Sequence, residues 1–139
     1  MKNKRIIALA LAAGIAVSGS GIGAMAEATR TSFDFTVKAE KKDTTENVQK
    51  TYDGDSASAN VTTYKNTTNK SYLRLRVLRG KTAVTGYKKV TATRQYSLRY
   101  KADKSVMTGQ AFKLRGYVAE GVTNGTGTMK GVFQPQRLL

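Results

Sequence analysis

Seven basic side chains carry the most regular chemistry in this chain: Arg74 and Arg76, Arg99 and Lys101, Lys113 and Arg115, and Lys130. Each paired set is spaced by two residues and interleaved with apolar or aromatic neighbours. Leu73, Leu75 and Val77 flank the first pair, Tyr96, Leu98 and Tyr100 the second, and Phe112 and Leu114 the third, while Met129 precedes Lys130. A spacing of two puts side chains on one side of an extended strand and their neighbours on the other. If these strands share one sheet, its outer face is a basic plate. Guanidinium forks and ammonium groups in that arrangement neutralise an anionic polymer or surface, with Arg suited to bidentate contact and Lys acting as a point charge.

Outward Lys and Arg also keep small β proteins soluble and block edge-to-edge pairing. The distribution of charge goes beyond that need. Residues 27–55 hold seven acids and five bases, whereas residues 56–139 hold 16 bases against only Asp103 and Glu120. Such an excess costs self-repulsion, which attraction to a polyanion would offset. The partners expected are an anionic cell-envelope polymer such as teichoic acid, an anionic membrane surface, or nucleic acid bound without sequence preference. Tyr72, Tyr87, Tyr96, Tyr100 and Tyr117 lie among the bases and could stack on sugars or bases. Strand tyrosines more commonly pack their rings and leave the hydroxyl wet.

Other chemistries are narrowed by absence. The chain has no His and no Cys, which excludes disulfides, thiolate chemistry, zinc thiolate or imidazole sites, and Ser-His or Cys-His nucleophiles. The only acidic cluster is Asp53-Gly54-Asp55 with Asp43 and Glu46 upstream. It matches no full calcium loop and is expected to be a turn. Asp34 with Asp53, or Asp103 with Glu120, could be paired as glycosidase carboxylates, yet nothing in their spacing selects either. No glycine run has phosphate-loop spacing. A non-enzymatic protein without cofactor or metal is expected.

The elements that must position the bases are strands. Period-two alternation marks Phe33 to Lys38, Ala57 to Thr62, Leu73 to Val77, Tyr96 to Lys101, Phe112 to Val118 and Met129 to Phe133, with a weaker strand from Val84 to Thr91 interrupted at Gly86. Arg79-Gly80-Lys81 and Asn124-Gly125 supply turns. Helical periodicity is not sustained anywhere, and residues 39–55 look like a polar, acidic loop. About seven short strands without helices imply an all-β fold, a small antiparallel β-sandwich or barrel. The inward set runs Phe33, Phe35, Val37, Val61, Leu73, Leu75, Val77, Leu98, Phe112, Leu114, Val118 and Phe133.

Residues 1–26 have a basic start, an apolar run from Ile6 to Val17 and a small-residue end at Ala24-Met25-Ala26, the layout of a signal peptide cut after Ala26. Ser18 to Gly21 break the apolar run well short of a membrane span. The mature domain expected, residues 27–139, carries a net charge of +12. Secretion without disulfides at this size points to a bacterial extracellular or surface-associated protein. The function expected is binding of an anionic envelope polymer or surface through the Lys and Arg face; a cationic bacteriocin or toxin-like protein is the alternative. The Ser-Phe-Asp-Phe-Thr-Val opening strand and Gly-Val-Phe-Gln-Pro ending resemble small secreted proteins of Gram-positive bacteria. As a class, the secreted basic β-sandwich resembles the lactococcin-like bacteriocins, whose strands typically bear Trp, a residue this chain lacks. That resemblance implies no functional residue here.

Overall fold

Alternation of apolar and polar side chains becomes pairing of strands in the computed structural model, which describes residues 30–136. The expected signal peptide lies outside the described residues. In chain order the strands are β1 (Thr31–Val37), β2 (Asp43–Thr44), β3 (Val48–Gln49), β4 (Ser56–Asn66), β5 (Leu73–Arg79), β6 (Thr82–Ala83), β7 (Lys88–Val90), β8 (Arg94–Arg99), β9 (Ala111–Val118) and β10 (Gly127–Gln134). One 3-10 turn, Ala102–Lys104, follows β8, and no α-helix occurs among the described residues. The fold is all-β, with two antiparallel sheets arranged as a β-sandwich would have them.

The first sheet has the order β1-β10-β4-β8. In the second, β9 and β5 pair centrally, β2 and β3 border β9, and β6 and β7 border β5. Every pairing is antiparallel. The inner faces contribute Phe33, Phe35, Val61, Leu98, Met129 and Phe133 from the first sheet and Leu73, Leu75, Val77, Phe112 and Leu114 from the second, all in one buried cluster. Glycines set how closely the sheets approach. A Cβ on Gly116 of β9 would stand 2.6 Å from the Phe35 ring, and one on Gly127 of β10 would run into the Leu73 side chain.

The two sheets are stitched at their corners. A turn closed by Lys38 and Lys41 carries the chain from β1 to β2. At another corner the Val84 N–H donates to Val77 O (3.0 Å) while Val84 O accepts from the Lys101 N–H (2.9 Å), and Thr85 bridges Tyr100. The Thr85 hydroxyl accepts the Val77 N–H at 3.0 Å, standing in for a missing ladder partner. Tyr96 pins the β7–β8 turn: its hydroxyl accepts from the Thr91 and Ala92 N–H groups and donates to Ala92 O at 2.9 Å. That is the logic of a tyrosine corner, which fixes a turn by a buried ring and a satisfied hydroxyl.

The expectation of a plain loop over residues 39–55 needs correction. The free edge of β9 offers backbone groups that this segment fills: Thr45 N–H donates to Leu114 O and Lys50 N–H to Gln110 O, both at 2.9 Å. Two short strands result, with Val48 buried in the core. One buried apolar residue amid polar neighbours carries no periodicity, so the pairing left no pattern in the sequence.

Candidate anion-binding face

The seven bases do not form one plate. Arg74, Arg76, Lys113 and Arg115 belong to β5 and β9 in the second sheet, while Arg99 and Lys130 belong to β8 and β10 in the first. Lys101 lies past the end of β8, at the start of the 3-10 turn. The separation follows from pairing: β8 and β10 both hydrogen-bond to β4, and β5 hydrogen-bonds to β9. Equal parity on different sheets places side chains on different outer faces.

The two faces differ in their acids as well. On the first sheet Lys130 stands directly across from Asp34, and Arg99 pairs with Asp55 at 3.4 Å. The other ion pair among the described residues joins Lys41 and Asp43, so neither involves the four bases of the second sheet.

Register arranges that second face in rows across the strands. Lys89, Arg74 and Tyr117 share one row; Arg76, Arg115 and Thr44 share the next; Ala83, Leu78 and Lys113 share the third. Cross-strand partners have Cα atoms about 4.5–5.5 Å apart, so Arg76 and Arg115 place like charges side by side. Leu78 and Tyr117 are buried yet lie outside the core cluster, so this face is a packed layer and not a fringe of loose side chains.

Each arginine is anchored by its Nε. Arg74 Nε donates to Val118 O at 2.8 Å, Arg76 Nε to the Tyr117 hydroxyl at 3.3 Å, and Arg115 Nε to Thr44 Oγ1 at 2.8 Å. Their terminal nitrogens make no hydrogen bond with any group among the described residues. Arg79, the last residue of β5, is the opposite case. Its Nη1 donates to Lys104 O (2.9 Å) and to the Gln110 carboxamide oxygen (3.1 Å), tying down the segment after β8.

Tyrosines hold the guanidiniums further. The Tyr87 ring centroid lies 4.1 Å from the Arg74 guanidinium carbon and 4.2 Å from that of Arg76, and Tyr117 meets Tyr87 edge-on at 4.9 Å. Lys42 Nζ lies 5.8 Å from the Tyr117 ring and Lys89 Nζ 4.7 Å from the Tyr72 ring. Each such contact contributes about 0.5–1 kcal/mol where exposed, enough to narrow the positions an arginine samples. Lys42 and Lys89 were not among the expected site residues. Lys89 alternates with buried Val90 and so was detectable by parity; Lys42 sits outside any alternation. Tyr96 and Tyr100, expected among the bases, point into the core instead, and burial pushes the Tyr100 phenol well above its ordinary value.

The acidic turn is engaged within the fold. Asp53 Oδ1 accepts the Thr108 hydroxyl at 2.8 Å, and Asp55 accepts the Ser56 hydroxyl at 3.1 Å besides pairing with Arg99. Among the described residues no three His, Cys, Asp or Glu side chains gather where they could hold a metal ion. In comparisons with known proteins, the chain matches no family model, no curated protein and no solved structure.

Proposed function

We propose that this protein is a secreted, non-enzymatic binder of an anionic polymer of the bacterial cell envelope, and that the outer face of the second sheet is its binding surface. The observation that carries the reading is the state of Arg74, Arg76 and Arg115: each is fixed through Nε, with its terminal nitrogens unspent, on a face where neither ion pair falls. Fixing the side chains in advance lowers the ordering cost when an anion arrives. The Arg76–Arg115 juxtaposition costs about 0.2–1 kcal/mol in the free protein, and a bridging anion reverses its sign. Arg99 and Lys130 support no such reading, because Asp55 and Asp34 stand beside them.

The test compares two variants of equal charge. Binding of purified teichoic acid is measured for the secreted protein, for Arg74→Gln/Arg76→Gln/Arg115→Gln, and for Arg99→Gln/Lys101→Gln/Lys130→Gln. The parent affinity should fall steeply as salt rises through about 0.15 M, where the screening length is near 8 Å. The first variant should lose affinity and flatten the logarithmic salt slope by about two, as three lost phosphate contacts require; the second should change little. Equal losses would mean that net charge alone governs binding and that no face is selected.

A further inference from the structure

Resting on that reading, we infer that the ligand is a polyol-phosphate chain with three carbons between successive phosphates, lying along β5 with one phosphate at each of three rows. Every row on the outer face of β5 and β9 holds at least one base: Arg74 with Lys89, then Arg76 with Arg115, then Lys113. Successive outward rows are separated by two residues, about 6.6–6.8 Å along the strand. Two residues of peptide are six backbone bonds. A glycerol-phosphate repeat, P–O–C–C–C–O, is likewise six bonds, so its extended repeat matches the two-residue repeat of a strand to within about 1 Å. Its charges fall on the rows without stretching or looping. An extended glutamate chain carries one charge per three backbone bonds, but its side chains alternate in direction, so only every second carboxylate faces the rows and half of its charge points away from them.

Single-stranded nucleic acid shares the six-bond backbone, and the aromatic residues argue against it. Its binders offer free ring faces on which bases stack. Here Tyr87 has two guanidiniums within 4.2 Å of its centroid, and Tyr117 is buried with Tyr87 set edge-on against it. Both rings are engaged in positioning arginines, and Tyr87 is the one of the two that stays partly exposed. A membrane surface fits less well too, because among the described residues the exposed large hydrophobics are Tyr52, Tyr87 and Met107, and of these Tyr87 alone lies on this face. No aliphatic side chain of the face stands ready to enter a bilayer.

The experiment titrates the secreted protein with synthetic oligo(glycerol phosphate) of one to six repeats. Parallel series use an oligomer with five carbons between phosphates, glutamate oligomers of equal charge, single-stranded DNA of equal phosphate count, and phosphatidylglycerol vesicles. Affinity for the three-carbon series should rise about tenfold from one repeat to three and then level off, as added charge-assisted contacts run out. The five-carbon and glutamate series should rise less. Affinity that follows total charge regardless of spacing would overturn the spacing inference while leaving anion binding in place. Tighter binding of DNA or of vesicles would reassign the ligand, and no binding in any series would remove both readings.

Discussion

Lys50 is the one buried ammonium-bearing side chain among the described residues, at 1 % exposure, and removing its charge makes a sharp test of how the sandwich end is held. Its Nζ donates to Tyr52 O and lies 6.0 Å from the Tyr100 ring. Burial pushes its pKa below the ordinary lysine value, and attraction to Asp53 only partly restores it. The unfolded chain therefore holds the proton more firmly than the folded one between the lowered value and about 10.4. Stability gained from deprotonating Lys50 is absent at neutral pH and grows as pH rises through that window. Lys50→Met keeps a stem of similar length and removes the amine. Because a buried charge with one hydrogen bond barely recovers its desolvation, the variant should be neutral or more stable by up to about 1–2 kcal/mol at pH 7. Urea unfolding of both proteins from pH 7 to 10 should show that advantage shrinking with pH. Tyr100 pulls the other way above about pH 10, since the unfolded phenol ionises first, but it acts on both proteins alike. A loss above about 2 kcal/mol at pH 7 would show that the amine makes a bond the fold needs, and a difference that ignores pH would show that burial leaves the Lys50 amine unperturbed.

Gly131→Val should destabilise by about 3 kcal/mol or more in urea unfolding, because a Cβ there would collide with Asn60 O, beside the register shift between Lys130 and Gly131. Gly86→Ala, with nothing within 4 Å of its Cβ, should instead be neutral or slightly stabilising under the same assay. Tyr87→Phe should keep teichoic acid affinity, since the ring quadrupole remains, whereas Tyr87→Leu should weaken it several-fold with an unchanged far-UV circular dichroism spectrum. Mass spectrometry of culture supernatant should find a mature chain beginning at Glu27, as Ala24 and Ala26 require; an intact Met1 would contradict secretion by cleavage.

The strands were legible because burial on one face writes itself as period two. Phe33-Phe35-Val37, Leu73-Leu75-Val77 and Phe112-Leu114 all lie in the core as their alternation implies. Every residue of the expected inward set is buried. What alternation cannot supply is sheet membership: parity tells which side of its own strand a residue takes, and Arg99 has the same local pattern as Arg74 while standing on another sheet. Long-range pairing decides that, and it depends on which edges remain free once the core has closed. The same limit hid β2 and β3, two-residue strands whose pairing rests on backbone groups of β9. The role of Tyr87 was equally invisible, because its contact with Arg74 and Arg76 depends on how the chain after β6 returns beside β5.

The most direct test of the binding face is a nuclear magnetic resonance titration of isotope-labelled protein with oligo(glycerol phosphate). Shifts should concentrate on the Nε–Hε signals of Arg74, Arg76 and Arg115, on Lys89 and Lys113, and on the Tyr87 ring, while Arg99, Lys101 and Lys130 stay still. Shifts spread evenly over both sheets, or centred on Arg99 and Lys130, would contradict the assignment of the site to the outer face of β5 and β9.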